Sequence, residues 1–329
     1  MIMTHIILTL GLCMNSDNYR RDKMKKILIL AGMILLAGES FAWMSKSDAG
    51  TAGAQFLKIG IGARAMGMGG AAAAMTDVSA LYWNPAGLAS LEKREVFAQH
   101  TDWFEDTSIE FIGAAVPVNG KVFGFSMTYL SIDDFERRIA DSSAPIGTFN
   151  ANDSAVGISY AKKLAGLDAG MTVRALKSKI GSDSSNVAIA ADAGVIKKGL
   201  SFSGKPLSLA LVLKDFGTKM KFVSKQDNLP SVIKLGMGVE VSPSMLVAAD
   251  LNLPRDNEVN MSIGFEYMLP VEAVKFPVRM GYKTLNDFDT IDGFSAGFGL
   301  GMGSYNLDFA WVPYGDFDDT YRLSLAGKF

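Results

Sequence analysis

The last ten residues, TYRLSLAGKF (320–329), alternate between large apolar side chains and small or charged ones. Successive side chains of a β-strand point to opposite faces, so this segment predicts a strand with one apolar face and one polar face. The apolar face carries Tyr321, Leu323, Leu325 and Phe329. The polar face carries Arg322, Ser324, Ala326 and Lys328. Such a strand suits a wall that has an apolar medium on one side and a polar one on the other.

The same alternation recurs along most of the chain. Residues 294–302 place a large apolar or alanine side chain at every second position, and residues 207–213 place a leucine there. Each candidate strand has about 9 to 11 residues, the length that a tilted strand needs to cross a bilayer. Strands of soluble domains average about 5–6 residues. Fourteen candidate strands begin near residues 95, 107, 121, 153, 166, 186, 207, 231, 244, 258, 276, 293, 304 and 320.

Two architectures can use such strands. A soluble periplasmic β-sandwich buries the apolar faces against each other, whereas a transmembrane barrel turns them to lipid and keeps the polar faces in its lumen. Strand length and an even strand count favour the barrel, with both ends in the periplasm. The predicted fold class is therefore all-β: a transmembrane antiparallel β-barrel of about 14 strands, preceded by a segment that is not part of the wall.

The lengths of the connections agree with this orientation, because short periplasmic turns should alternate with longer outer loops. Turns are predicted at residues 118–120, 164–165, 199–206, 242–243, 270–275 and 303. Outer loops are predicted at residues 132–152, 180–185, 216–230, 285–292 and 313–319. The brief outer connection at 254–257 and the long turn at 199–206 depart from the pattern.

The N-terminal region has the features of a secretory signal peptide. In residues 24–42, two lysines follow Met24, an eleven-residue apolar run (27–37) comes next, and a small-x-small cleavage site ends at Ala42. Residues 1–23 form a leader upstream of this signal, so Met24 is the expected start of the protein; an unusually long charged region is the alternative. After export the protein would be located in the cell outer membrane of a Gram-negative-type bacterium.

Composition argues against several other classes of protein. A formal net charge of −2 gives no basic surface for nucleic acid, and 49% hydrophobic residues argue against disorder. The single cysteine, Cys13, lies in the leader, and His100 is the one histidine of the exported chain. With one histidine and no cysteine, the exported chain has few residues for nucleophilic catalysis by a Ser-His pair or for a zinc site. We expect a protein that is not an enzyme and that binds no cofactor, no metal and no nucleic acid.

Residues 43–94 do not alternate. They are rich in glycine, alanine and methionine, as in GIGARAMGMGGAAAAM (60–75). Thr76 or Asp77 is a possible N-cap of a short helix that runs to about Tyr82. Small residues let backbone pack closely against inward side chains, so residues 43–94 are predicted to form a plug segment inside the barrel of residues 95–329. A periplasmic extension is the alternative.

Two motifs in the plug segment carry a resemblance. The first is Phe56-Leu57-Lys58-Ile59 followed by Gly62-Ala63-Arg64-Ala65-x-Gly67-Met68-Gly69, and the second is Tyr82-Trp83-Asn84-Pro85-Ala86-Gly87-Leu88, which contains a turn signature. Together they resemble the PorV/PorQ family of outer-membrane proteins, within the wider superfamily of FadL-like and UPF0164-like β-barrels. The resemblance implies a fourteen-stranded barrel with an N-terminal plug. Phe329 and the apolar side chains before it resemble the terminal signal of the barrel assembly machinery, formed here by Tyr321, Leu323, Leu325 and Phe329.

The resemblance implies two functions. PorV-like proteins serve type IX secretion, where they receive exported cargo by its C-terminal signal domain and pass it on, with a translocon, for surface attachment. FadL-like proteins let long-chain fatty acids and other hydrophobic compounds pass through the barrel, with the plug as a gate. The closer match of the motifs favours the PorV type, and FadL-like passive transport is the alternative. Outer-membrane lipid and the barrel assembly machinery are expected partners in both cases.

The plug motif supplies the candidate site, with a structural or a gating role: Arg64, Gly67, Gly69, Trp83, Asn84, Pro85, Ala86 and Gly87. Arg64 can grip the carboxylate of a ligand through a bidentate pair, or form an internal salt bridge that locks the plug to the wall. The salt bridge is favoured. Tyr82 and Trp83 either line a ligand cavity or pack the plug, and packing is favoured.

Overall fold

The computed structural model describes residues 49–104, 106–139, 144–271, 274–284, 293–315 and 318–329. The leader, the signal peptide and the outer loop at 285–292 lie outside the described residues. Fourteen long strands make up the wall: β1 (Glu95–Asp102), β2 (Thr107–Val118), β3 (Lys121–Arg137), β4 (Gly147–Leu164), β5 (Leu167–Ile180), β6 (Ala188–Phe202), β7 (Lys205–Gly217), β8 (Val232–Ser242), β9 (Met245–Pro254), β10 (Asn260–Leu269), β11 (Phe276–Lys283), β12 (Phe294–Met302), β13 (Tyr305–Pro313) and β14 (Asp319–Lys328).

The sheet closes on itself. Every strand pairs antiparallel with its sequence neighbours, and β1 also pairs with β14, from Glu95 opposite Lys328 to Asp102 opposite Tyr321. Closure leaves no free sheet edge along the wall, which a bilayer requires of a β-protein. The predicted fold class is confirmed, and thirteen of the fourteen strands begin within two residues of the predicted positions.

The exception is β4, which begins at Gly147 and not near residue 153. Since β3 continues to Arg137, most of the outer loop predicted at 132–152 is a long β-hairpin. The hairpin is rich in polar residues such as Asp133 and Asn150, so large apolar side chains at every second position do not reveal it. The backbone pairing of the ladder nevertheless continues, as between Phe135 and Phe149.

A second difference concerns the turn predicted at 199–206. The structure has a two-residue turn, Ser203-Gly204, between β6 and β7. Both residues have positive φ, 49° and 78°, as the hairpin turn that matches the twist of the strands requires. Gly199 lies inside β6, where the pairing register shifts between Lys197 and Leu200, so it marks a bulge and not the turn.

With this correction, the described residues contain five two-residue turns that join consecutive wall strands, and all five lie at one end of the barrel. That end also carries the start of β1, the end of β14 and the connection from Leu269 to Phe276; the two-residue turns occupy residues 119–120, 165–166, 203–204, 243–244 and 303–304. Short turns face the periplasm in bacterial barrels, which assigns this end to the periplasm and the other end to the outside.

The two faces of the wall differ as predicted. On β14, Tyr321, Leu323 and Leu325 are exposed on the outer face, whereas Arg322 between them is fully buried. Other strands expose large apolar side chains on the same face: Phe125, Ile158, Val173, Leu211, Phe265, Met280, Phe298 and Leu307. Charged side chains are buried inside: Arg174, Asp192, Lys214, Lys234, Asp250 and Arg279. In a bilayer this arrangement sets the apolar face against lipid.

The described part of the plug segment, residues 49–94, lies inside this wall. It contains a 3-10 helix (Gln55–Lys58), α1 (Ala63–Met66), α2 (Ala80–Trp83) and a second 3-10 helix (Pro85–Ser90). A Cβ added at any of eight inward-facing wall glycines, each on a different strand, would come within 3.3 Å of a plug atom: Gly113, Gly124, Gly170, Gly194, Gly236, Gly264, Gly281 and Gly297. No helix among the described residues is long and apolar enough to cross a membrane.

Candidate functional site

The first plug motif packs backbone against backbone. Gly67 lies against the Cα atom of Gly297 on β12. Gly69 has a φ of +68°, and its position leaves no room for a side chain, since a Cβ there would lie 2.8 Å from the amide nitrogen of Tyr282 on β11. The amide of Gly69 donates a hydrogen bond to Ser295 Oγ (3.0 Å). These glycines let the plug chain touch the wall directly.

The second plug motif begins inside a helix, α2, that is shorter than predicted. Helix α2 starts at Ala80 and not at Thr76 or Asp77. Asp77 is not its N-cap, since its Oδ1 accepts hydrogen bonds from the amide and the hydroxyl of Ser79 and so closes a local turn before the helix. This side-chain turn competes with helix formation, as is usual for Asp.

Asn84 organises the turn that follows. It is fully buried, its Oδ1 accepts from the Ala86 amide (3.1 Å), and its Nδ2 donates to the Ala73 carbonyl (2.6 Å). The turn signature of this motif, Asn84-Pro85-Ala86-Gly87, is thus the capped start of the 3-10 helix Pro85–Ser90. Pro85 and Asn84 lie against the wall glycines Gly170 and Gly194. Gly87 allows this close packing, since a Cβ there would clash with the Met75 carbonyl.

Arg64 is the main charged link between the plug and the wall. Its Nε and Nη2 atoms contact Glu266 Oε2 (2.8 Å) and Oε1 (2.6 Å) on β10. Its Nη1 atom contacts Asp77 Oδ2 within the plug (2.6 Å). Glu266 also pairs with Arg279 (2.7 Å), which in turn pairs with Asp308 (2.6 Å). The result is a five-residue network in which Arg64 forms the internal salt bridges; a gating role for it stays a prediction.

The network determines the ionisation of Asp77. Burial alone would raise the pKa of this carboxyl group, but the Arg64 guanidinium and the hydrogen bonds from Ser79 outweigh it. The pKa of Asp77 is therefore held below its usual value, and the side chain is an anion at neutral pH.

A second buried cluster lies beneath the aromatic residues of the plug. Arg174 on β5 contacts Asp192 (2.7 Å) and Asp215 (2.5 Å), and Lys214 contacts Asp215 (2.8 Å). The Lys214 amine also stands 4.2 Å from the centre of the Tyr82 ring. The sequence places Arg174 and Lys214 on polar strand faces, but it does not show that they meet. Charged residues at inward positions of neighbouring strands are the signal that could have suggested this cluster.

Tyr82 and Trp83 both pack the plug and line a cavity. The Tyr82 hydroxyl donates to the carbonyls of Leu57 (2.7 Å) or Ile59 (2.9 Å), and Trp83 Nε1 donates to the Ile61 carbonyl (2.6 Å). Above their rings lies a cavity of about 200 Å³ in the outer half of the lumen. The two alternatives for these aromatic residues therefore do not exclude each other.

Two more cavities lie on the periplasmic side of the plug. One has a volume of about 330 Å³ and is lined by Met75, Thr76 and Glu240, among others. The other has a volume of about 230 Å³. Arg64 and Glu266 line both. The salt bridge therefore lies at the border between them, on the periplasmic side of the plug.

The residues of the predicted assembly signal lie on the outer face of β14 and at its end. Tyr321, Leu323, Leu325 and Phe329 are all exposed. The Phe329 amide donates to the Arg94 carbonyl (2.9 Å), and its ring meets Tyr305 at 6.0 Å between centres. Recognition of these residues by assembly machinery stays a prediction.

The polar groups found here do not form an evident metal centre. Among the described residues, no group of three or more His, Cys, Asp or Glu side chains could hold a metal ion. His100 pairs with Glu110 (2.6 Å) on the exposed outer face, away from the plug.

A closed fourteen-stranded barrel with apolar outer faces and an internal N-terminal segment defines a bacterial outer-membrane β-barrel. This chain belongs to the family described as Uncharacterised protein family (UPF0164), whose model matches residues 36–254. Membership of the PorV/PorQ family in particular stays a prediction. No curated protein matches the chain.

Solved structures share the fold. The crystal structure of the Ralstonia pickettii toluene transporter TbuX has a TM-score of 0.56 at 13% sequence identity, covering 82% of this chain and 98% of that one. The crystal structure of a Pseudomonas aeruginosa FadL homologue has a TM-score of 0.51 at 11% identity, covering 80% of this chain and 97% of that one. At these identities the likeness concerns the fold alone.

Proposed function

We propose that this protein is a passive outer-membrane channel that passes small hydrophobic compounds from the cell surface to the periplasm, with the plug segment as its gate. The observation that carries the proposal is the outer cavity, about 200 Å³ in volume, whose floor is formed by Tyr82 and Trp83. Ligand sites are typically concave and apolar, with a few polar groups that orient the ligand.

The position of the plug supports a gating role. The outer cavity and the two inner cavities lie on opposite sides of the plug segment. A compound that travels between them must displace plug residues. The Arg64–Glu266 salt bridge joins the plug to β10 beside both inner cavities, so its rupture is the expected step that opens the path.

The fold comparison agrees with this class of function. TbuX is described as a toluene transporter, and its barrel matches four-fifths of this chain. The cargo class that follows for this chain is a hydrophobic compound.

The cargo-handling role in type IX secretion remains the second candidate. It rests on the plug motifs around Arg64 and Trp83, because these resemble PorV-type proteins more closely. Gentle detergent extraction followed by mass spectrometry tests it. Co-purifying secreted proteins that share a C-terminal domain, or a large translocon subunit, would favour this role over the channel.

Uptake of radiolabelled toluene tests the channel directly. Gram-negative cells that express the protein should take up toluene faster than cells that lack it. Asn260→Trp fills the outer cavity and should abolish the gain in uptake. Met261→Trp places the same ring at the next position, on the outer face of the barrel wall, and should preserve the gain. Equal uptake with and without the protein would refute the channel.

A further inference from the structure

The outer cavity is strongly cationic. Its lining includes four lysines, Lys58, Lys214, Lys234 and Lys283, but only one described acidic residue, Asp215. Lys214 and Asp215 form an ion pair (2.8 Å), and Lys58 is paired with Asp256 (2.5 Å). Among the described residues, the other two lysines take part in no such ion pair.

Lys234 and Lys283 have no such partner. Within the described part of the chain, neither ammonium group forms a hydrogen bond or an ion pair. Asp250 is the acidic group that interacts most strongly with the charge of Lys234, but its Oδ2 atom accepts hydrogen bonds from the amides of Ala72 and Ala73 (both 2.9 Å). The Lys234 amine instead stands 4.9 Å from the centre of the Trp83 ring. Two cations with unused donors thus border one cavity.

The rest of the cavity wall is mixed, with polar residues such as Asn252 and Asn260 beside an apolar part, and the space is small. Leu57, Met66, Val232 and Val312 line it together with Trp83. A cavity of about 150 Å³ with apolar walls is known to hold a benzene molecule. A volume of about 200 Å³ therefore holds one aromatic ring with a short substituent and leaves no room for a long alkyl chain.

We infer that the outer cavity selects small aromatic anions, that is, a single ring that carries a carboxylate. The ring packs against Trp83 and the apolar wall, and the carboxylate accepts hydrogen bonds from the amines of Lys234 and Lys283. This inference rests on the proposed channel and names the class of compound that it admits. Charge-assisted hydrogen bonds distinguish such an anion from a neutral compound of the same shape.

Isothermal titration calorimetry of the folded, full-length protein in detergent micelles tests the inference. Benzoate and benzyl alcohol share the ring and nearly the same size, and they differ in charge. Benzoate should bind at least about tenfold more tightly. Lys234→Gln and Lys283→Gln should each weaken benzoate by about tenfold and leave benzyl alcohol unchanged. Lys177→Gln, on the exposed outer face of β5, should change neither.

The outcomes separate the inference from the channel itself. Equal binding of benzoate and benzyl alcohol, or unchanged benzoate binding in both lysine variants, would overturn the inference even if toluene uptake persists. Charge-dependent benzoate binding supports the inference even if toluene uptake fails, a failure that would refute only the channel. If one lysine variant does not fold, the inference is still tested by the other variant and by comparing benzoate with benzyl alcohol on the unaltered protein.

Discussion

Arg64 and Glu266 form a two-point ion pair that joins the plug segment to the barrel wall, with distances of 2.8 Å from Nε to Oε2 and 2.6 Å from Nη2 to Oε1. They are 202 positions apart in the sequence. The parallel fork of the guanidinium group fixes the orientation of the plug as well as its distance from β10, because both hydrogen bonds need the two planar groups aligned.

Loss of this pair should loosen the plug. The Arg64 and Glu266 side chains are 30% and 11% exposed, so Arg64→Gln should lower the stability of the plugged state by about 1–3 kcal/mol, between the values for exposed and buried pairs. Single-channel conductance in planar bilayers should show longer or more frequent openings. Arg138→Gln is the matched control, since Arg138 pairs with Glu136 at the surface and its loss should leave the conductance unchanged. Identical traces for both variants would argue against a lock at Arg64.

Substitution of Gly69 should displace the plug from the wall. Gly69→Ala combines a φ of +68° with a Cβ 2.8–2.9 Å from the Tyr282 backbone, and we expect a cost of about 2–4 kcal/mol. Gly120→Ala has a similar φ of +73° but open space around it, and it should cost only about 1 kcal/mol. Urea unfolding in lipid vesicles, followed by tryptophan fluorescence, measures both. The idea of backbone contact fails if the two variants unfold at the same urea concentration.

Acidification should open the channel. The pKa of Asp77 is depressed in the folded state, so its contribution to stability is complete above the unfolded value of about 4. That contribution is lost as the pH falls through the depressed value, because protonated Asp77 no longer helps to orient the Arg64 guanidinium that pairs with Glu266. Conductance should therefore stay constant as the pH falls to about 4 and rise below that value. Asp77→Asn should raise the conductance at pH 6 and reduce the change on acidification; a full change in this variant would show that other groups carry it.

The barrel could be predicted from the sequence because its strands are marked by a pattern among neighbouring residues. Apolar side chains at every second position fix both the strands and their outward faces, as on β14 from Tyr321 to Leu325. The alternation is too weak in the first six residues of β4 (GTFNAN, 147–152), where Phe149 is the one large apolar side chain, so the extension of β4 to Gly147 was not predicted. The turn predicted to start at Gly199 was wrong because a bulge and a turn can both place a glycine at a positive φ.

The site was accessible only in part. The plug motif pointed to Arg64 and to a salt bridge, but its partner Glu266 depends on which strand the plug meets, and this follows from tertiary packing. Lys234 was visible as a charge on a polar strand face, whereas its position over Trp83 was not. Inward-facing glycines such as Gly281 are a usable signal, since they mark where the plug touches the wall.

The most direct test of the account is a reversible cross-link between the plug and the wall. A Cβ at Gly238 on β8 would lie 3.7 Å from the Cβ of Ala74, close to the mean of about 3.8 Å in disulfides. Cells that carry Ala74→Cys together with Gly238→Cys should take up toluene slowly when oxidised and at the unaltered rate after reduction. Each single variant is the control. Equal uptake in the oxidised and reduced states of the double variant would contradict the plug as the gate.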